Sequence, residues 1–264
     1  MAKVIVLYSG GKDSQAALIW ACKKFGNKKV EAVFCDTGWE HELTYKHVQE
    51  TTEQLGVKLV TLKNKIYNGM VDLAVKKKRF PSTKSRFCTE ELKTKPAIDY
   101  VLSHKKHFLI IQGIRNDESA DRAKMLENCR YFKFYFEPYR IGGKYDSILA
   151  EDIEVLKAAY LQGLGGKTMI RKIMQVERIY NLNPCQQNYL HDLNEINELP
   201  KNRVYFYHTY RKKEVFEWCK EYDDSVLRPV IKWTAEEVIN YIFENGQKPN
   251  PLYFIGSKRV GCYT

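Results

Sequence analysis

The chain opens with short apolar runs alternating with stretches of helical periodicity. Lys3 to Tyr8 (KVIVLY) is a β-branched run suited to a buried strand, and it stops at Ser9-Gly10-Gly11. From Ser14 to Phe25, Ala, Leu, Ile and Trp fall on most faces of a predicted helix that ends at Gly26-Asn27. A helix that apolar needs cover on more than one side. Val30 to Cys35 predicts a second strand, Leu43 to Leu55 a second helix with apolar Val48 and Leu55 and a stop at Gly56, and Val57 to Leu62 a third strand. Such alternation with short connections is the pattern of a doubly wound parallel sheet, an α/β fold whose ligands bind at the carboxyl ends of its strands. Phe108 to Gln112 (FLIIQ) predicts a fourth strand, leading straight into Gly113-Ile114-Arg115.

Beyond Arg122 the pattern is less regular. Tyr131 to Tyr139 (YFKFYFEPY) reads as an aromatic strand, Asp152 to Tyr160 and Tyr210 to Tyr222 read as helices, and Pro229 to Trp233 reads as the return to the main fold. The expectation is a core over residues 1–125, an inserted helical and aromatic subdomain over 126–226, and a C-terminal return over 227–264. The last helix has the clearest start: Thr234 and Glu237 form a capping box, followed by Val238, Ile239, Ile242 and Phe243 before Gly246.

Composition narrows the class. With 264 residues, 44% hydrophobic and 28% charged, the chain suits one large α/β domain with an insertion, or two small domains. No apolar run approaches the roughly 18 residues that span a bilayer, and the N-terminus lacks the regions of a signal peptide, so a cytoplasmic protein is expected. The seven cysteines (Cys22, Cys35, Cys88, Cys129, Cys185, Cys219 and Cys262) are widely spaced, with no CxxC pair, and argue against a disulfide scaffold or a zinc ribbon. A net charge of +11, densest from Lys76 to Arg86, suits a polyanionic partner, a basic pocket for a polyphosphate nucleotide, or simply a soluble basic surface.

The chemistry concentrates at Ser9-Gly10-Gly11-Lys12-Asp13-Ser14, between a strand and a helix. Unpaired backbone N–H groups and the positive end of the helix can hold an anion there. Gly10 and Gly11 let the backbone approach phosphates, Ser9 and Ser14 offer hydroxyl donors, and Lys12 adds a cation. Asp13 repels phosphate unless it binds a metal ion or fixes the loop from behind. A Gly165-Gly166-Lys167-Thr168 string is the nearest approach to a GxxxxGK[ST] loop, but it has no glycine at the required spacing and no strand leading into it.

The SGGKDS string resembles the PP-loop of the ATP pyrophosphatase superfamily. Four further segments resemble the phosphoadenosine-phosphosulfate (PAPS) reductase-like family within it. Cys35-Asp36-Thr37-Gly38-Trp39 looks like its DTG motif, near adenosine and substrate, and Arg86-Phe87-Cys88-Thr89 with Lys93 and Pro96 is similar to its cysteine-containing segment. Gly113-Ile114-Arg115-Asn116-Asp117-Glu118-Ser119 with Arg122 looks like its GIRxDES…R motif, whose arginines meet phosphate or sulfate. Trp233, Pro251-Leu252-Tyr253 and Arg259-Val260-Gly261-Cys262 resemble its C-terminal signatures. The resemblance covers about residues 1–125 and 227–264. It implies an adenine nucleotide alpha hydrolase-like fold and a nucleotide site formed by residues 9–14, Asp36, Thr37, Gly38, Arg115, Asp117 and Arg122.

Two enzymatic readings follow from the resemblance, and a third is not enzymatic. In the first, ATP or a related adenylyl nucleotide binds with Mg²⁺ and is cleaved at the α-phosphate to activate a substrate. Lys12 and Arg115 then meet transition-state charge, and Asp13 or Asp36 serves the metal or the loop geometry. In the second, PAPS is the nucleotide and Cys88 attacks sulfur, with Cys262 as resolving thiol. Relatives of that kind carry a cysteine in a C-terminal tail, or an iron–sulfur cluster held by four thiolates. Here Cys88 is followed by Thr89 and the sequence stops at Thr264, so a cluster within this chain is not expected. The third reading is a nucleotide- or nucleic-acid-binding module, although no motif reads bases.

Overall fold

A computed structural model of the protein describes residues 2–82, 85–136, 138–140, 204–206, 210–257 and 259–260. The expected helix at Asp152 to Tyr160, the Gly165–Thr168 string, Lys84, Cys185 and Cys262 lie outside them. The chain forms two compact units, one from Met1–Arg130 with Asp223–Thr264 and the other from Tyr131–Tyr222. The described strands are β1 (Lys3–Leu7), β2 (Val30–Cys35), β3 (Lys58–Leu62), β4 (Phe108–Gln112), β5 (Asn128–Cys129), β6 (Pro138–Arg140), β7 (Val204–Phe206) and β8 (Asp224–Leu227).

The first unit carries a six-stranded sheet in the order β3-β2-β1-β4-β8-β5. Its strand pairs are parallel except that of β5 with β8. Val4, Val6, Ala32, Phe34 and Ile111 alternate onto one face and pack with Ala17, Leu18 and Ala21. Ile5, Val33 and Ile110 fall on the opposite face and are also buried. Burial on both faces is what continuous apolar strands require, and it makes this a doubly covered α/β sheet.

The helices are α1 (Lys12–Phe25), α2 (Glu42–Gln54), α3 (Met70–Lys76), α4 (Lys95–Leu102), α5 (Lys212–Glu221) and α6 (Ala235–Glu244). Helix α1 is covered twice: Ala17, Leu18, Ala21 and Cys22 face the sheet, while Ala16 and Ile19 pack against Val238 and Ile242 of α6. The Thr234–Glu237 capping box is present at the start of α6. Short helical segments at Phe87–Thr89 and Glu90–Thr94, the latter with π geometry, run directly into α4.

Strand order fixes where a ligand can sit. From β1 the chain runs outward through β2 to β3, then crosses to β4 on the other flank of β1. The connections leaving β1 and β4 therefore diverge, and a crevice opens at the carboxyl ends of these two strands. Ser9–Ser14 follows β1 and Gly113–Arg115 follows β4, so both motifs stand at that switch point.

Two local expectations are corrected. Tyr131 to Tyr139 is not one strand: Lys133–Phe136 is helical and only Pro138–Arg140 is extended. Phe132 and Tyr135 lie three residues apart and are both buried, a spacing that suits a helical turn better than a pleat. The return to the main sheet comes earlier than Pro229, at β8, and Pro229–Trp233 is a turn that buries Val230 and Ile231. Strands β5 and β8, near the edges of the segment 126–226, both pair into the main sheet. In the second unit, β6 and β7 form an antiparallel pair, and Phe132 stacks edge-on with Tyr135 and with Trp218 of α5.

Candidate functional site

The loop after β1 is shaped by backbone geometry. Tyr8 N–H still bonds Val33 O at 2.9 Å, so the chain leaves the sheet at Ser9. Gly10 takes φ +77°, and a Cβ there would come within 2.9 Å of Thr44 Cγ2 and 3.0 Å of Val48 Cγ2. Only glycine meets both demands. Helix α1 begins after Gly11, and its first internal bond runs from Gln15 N–H to Gly11 O at 2.9 Å. The N–H groups of Lys12, Asp13 and Ser14 thus lack acceptors within the helix, at its positive end.

The serines serve the loop itself. Ser14 Oγ donates to Gly11 O at 2.9 Å and accepts from Ser9 N–H at 3.2 Å, and the two hydroxyl oxygens are 3.2 Å apart. With the Ser14 proton engaged, Ser9 Oγ is the freer hydroxyl of the two.

Charge is arranged behind and beside this loop. Asp13 Oδ1 accepts from Arg115 Nε at 2.5 Å, and Arg115 also donates to Asp117. Asp13 Oδ2 lies 3.7 Å from Lys12 Nζ, beyond hydrogen-bonding distance. Arg115 is buried, so a guanidinium with two carboxylate partners is the form that survives there. Arg122 pairs with Glu118, which also faces Arg259 at 3.6 Å. Burial, then the repulsion of Arg259, Arg86 and Arg115, lower the Arg122 pKa, with Asp13 opposing. Three arginines besides Arg122 thus converge near this site, with Asp13, Asp117 and Glu118 set among them.

Gly113 lets β4 approach this helix end. A Cβ at Gly113 would fall 2.3 Å from both Asp13 O and Ser14 Cα, a position that backbone atoms already fill. The strand-end glycine thus packs directly against the first turn of α1. The C-terminal segment closes the other side: Asn250, fully buried, donates from Nδ2 to Gly10 O at 3.2 Å, and Tyr253 Oη accepts from Lys12 N–H at 3.1 Å.

The end of β2 supplies a second wall. Asp36 Oδ1 accepts from Gly38 N–H at 2.8 Å and from Tyr45 Oη at 2.7 Å, and Lys63 Nζ reaches Oδ2 at 3.0 Å. Burial pushes the Asp36 carboxyl up, but the bonds from Tyr45, Gly38 and Lys63 outweigh it and hold it below its ordinary value. Thr37 is buried, with its hydroxyl donating to Glu40 Oε1 at 2.6 Å and its carbonyl accepting from Met70 N–H. Gly38, at φ +64°, opens a shallow groove of ≈ 380 Å³ lined by Gly38, Trp39, Glu40, His41 and Glu42.

Cys88 lies in an apolar cluster that shares Trp39 and Met70 with this second wall. It is half-buried and packs, with Trp39 and Phe87, against the apolar cluster of Met70, Leu73 and Leu92. The Cys35 thiol donates to the backbone carbonyl of Lys93 at 3.6 Å and is pushed up to about 11 by burial. In the basic run, Lys76 pairs with Asp72 and Lys77 with Glu91.

The structure thus gathers Ser9, Gly10, Gly11, Lys12, Asp13, Ser14, Arg115 and Asp117 at one crevice. Asp36, Thr37 and Gly38 stand at the neighbouring strand end, where the side chains of Asp36 and Thr37 are committed to the turn. Sequence reasoning did not single out Asn250, Thr44 or the packing role of Gly113. A glycine at the residue after an apolar strand was the available signal for the last.

Comparison with known proteins places residues 3–135 and 168–264 in the phosphoadenosine phosphosulfate reductase domain. The protein MJ0066 of Methanocaldococcus jannaschii is 34% identical over 133 residues, 49% of this chain and 27% of its own. A 37.8 kDa protein of Escherichia phage 186 is 28% identical over 98% of this chain and 65% of its own length. The chain therefore spans between about a quarter and two thirds of these relatives. A crystal structure of PAPS reductase from Candida auris, in complex with phosphate, superposes with a TM-score of 0.51 at 14% identity, covering 100% of this chain and 82% of that one. At that identity the likeness concerns the fold. With the family match spanning both the loop at the end of β1 and the segment after β4, this chain belongs to the phosphoadenosine phosphosulfate reductase domain family.

Proposed function

We propose that this protein binds ATP or a related adenylyl nucleotide with its phosphates on Ser9–Ser14, and cleaves it at the α-phosphate to activate a second substrate. The observation that carries this reading is the construction of the loop: Gly10 and Gly113 admit no side chain, and Asp13 is held by Arg115. Together they leave a helix N-terminus and Lys12 at the switch point of the sheet.

Each residue then has a physical role. The N–H groups of Asp13 and Ser14 at the start of α1 bind phosphate oxygens, and the Lys12 side chain carries positive charge to them. Arg115 adds to the field, but Asp13 and Asp117 already balance it, so Lys12 contributes the larger share at the reacting phosphate. The open groove at Gly38–Glu42 offers one aromatic side chain, Trp39, on which an adenine could stack.

The donor set fits a magnesium ion carried in by the nucleotide. Among the described residues no cluster of three or more His, Cys, Asp or Glu could hold a metal unaided. Mg²⁺ needs only about one or two carboxylates beside phosphate oxygens and water, and Asp13 Oδ2 is available for that. When bound it neutralises phosphate charge.

Incubation with labelled ATP and Mg²⁺, with products separated, tests the reading. Pyrophosphate with AMP or an adenylated acceptor is expected; ADP and phosphate, or no turnover with any acceptor, would overturn it. Thiol-dependent sulfite release from PAPS is the second reading, favoured by the family and by the half-exposure of Cys88.

A further inference from the structure

The Pro251-Leu252-Tyr253 segment has no part in the reading above, yet it touches the loop. Pro251–Ile255 forms a short 3₁₀ turn capped by Asn250, whose Oδ1 accepts from Leu252 N–H at 3.0 Å while its Nδ2 holds Gly10 O. This anchors Tyr253 over the first turn of α1. Its phenol oxygen accepts from Lys12 N–H at 3.1 Å, and Lys12 Nζ stands 5.1 Å from the ring centroid. The Cβ position of Gly11 would lie 3.4 Å from Tyr253 Oη and 3.3 Å from Val260 O, so the segment borders the cradle directly.

We propose that Tyr253 is a phosphate-binding residue that extends the cradle, accepting the Lys12 N–H and donating its own hydroxyl proton to an oxygen of the bound nucleotide. The inference rests on the nucleotide reading and deepens it. A phenol that accepts a backbone N–H has its lone pair engaged and its proton directed elsewhere. Among the described residues no acceptor takes that proton. The field favours keeping it on: burial raises the Tyr253 pKa and Asp13 adds to this, against the Lys12 and Val260 backbone and Arg115. A neutral donor next to Lys12, relaying the end of the helix onto an anion, is the consequence.

Calorimetry on the full chain with ATP, inorganic pyrophosphate and adenosine tests the proposal. Tyr253→Phe keeps the ring over Lys12 and removes only the hydroxyl. It is expected to weaken ATP and pyrophosphate binding by about ten- to a hundredfold, the range of a hydrogen bond to a charged group. Adenosine affinity should stay at its wild-type value, and the melting temperature should fall only slightly, as the loss of the Lys12 N–H bond requires. Unchanged or tighter ATP binding by Tyr253→Phe would overturn the role of Tyr253 while leaving the nucleotide reading intact. Loss of adenosine binding in parallel with ATP would make Tyr253 a support of the loop and would also overturn it. A wild-type protein that binds neither ATP nor pyrophosphate would remove the nucleotide reading itself.

Discussion

Arg115 Nε lies 2.5 Å from Asp13 Oδ1, joining the end of β4 to the first turn of α1 across the switch point of the sheet. The acidic residue of an anion-binding loop is thereby neutralised from behind, and its second oxygen stays within 3.7 Å of Lys12. Asp13 can stand beside phosphates because Arg115 stands behind it. Arg115→Ala strands the largely buried Asp13 without its cation, and breaking a buried pair in this way costs about 3–5 kcal/mol, while the half-exposed Asp117 adds little. Arg115→Lys should recover only part of this, since an ammonium cannot reproduce the fork that meets two carboxylates. Chemical denaturation of the variants checks both.

Gly113 makes a sharper steric prediction. Gly113→Ala places a methyl on the Asp13 carbonyl and the Ser14 Cα, and the neighbours are backbone, not flexible side-chain ends. We expect destabilisation of about 3 kcal/mol, from overpacking, with loss of nucleotide affinity as α1 is pushed from the loop. Gly246→Ala is the control: φ is +70° there, but no atom lies within 4 Å, so only the backbone penalty of about 1 kcal/mol applies. Equal melting temperatures for the two variants would contradict the packing argument.

The contrast between these glycines shows what the sequence could convey. Local signals placed β1, β2 and β4 within a residue of their ends, because short apolar, β-branched runs that stop at polar or glycine turns have few other uses. The SGGKDS loop was legible for the same reason, since strand, glycines and helix are contiguous. The contacts that fix the loop were less legible: Asn250 and Tyr253 reach it from about 240 residues away in sequence, through a sheet order that periodicity does not specify. Arg115 was expected at the site through the family resemblance but without its bond to Asp13. β8 (DSVL) was missed because four residues with two polar positions carry little hydrophobic pattern, and its strand character comes from pairing with β4.

Acid stability offers a test independent of function. His47 is buried on α2, with Nε2 at 3.2 Å from Gln15 Oε1 and 3.4 Å from Thr51 Oγ1. Burial pushes its pKa down to about 4 from an ordinary 6.5, with Glu50 opposing. The unfolded chain binds a proton below about 6.5 that the native state refuses until about 4, so stability is full above this window and falls as pH drops through it. The loss reaches up to about 3 kcal/mol. Denaturant titrations at pH 7, 5.5 and 4 should show this slope, and His47→Gln should flatten it. A wild-type stability constant across that range, with His47→Gln indistinguishable, would contradict the neutral buried state.

Cys88 decides between the two chemistries. As the attacking thiol of a reductase it must be reachable and partly ionised, and a second thiol must complete the redox cycle. Its packing partners are apolar instead: it lies against Met70, Leu73 and Leu92, with Trp39 and Phe87 beside it. Cys88→Ser exchanges sulfur for a hydroxyl at the edge of that cluster, with a stability cost of about 1 kcal/mol. Under the adenylyl-cleaving reading it changes pyrophosphate release from ATP by less than about twofold, well below the factor of 10 that 1.36 kcal/mol of barrier represents. Asp13→Ala, in the same assay, abolishes release by removing the carboxylate for Mg²⁺ and the partner that fixes Arg115 behind the loop. If the loop performs the reaction, only the second of these variants therefore loses activity. Should Cys88→Ser instead remove thiol-dependent sulfite release from PAPS, with the wild type making no pyrophosphate from ATP, the sulfur chemistry is the true one and the loop holds the nucleotide only as a handle.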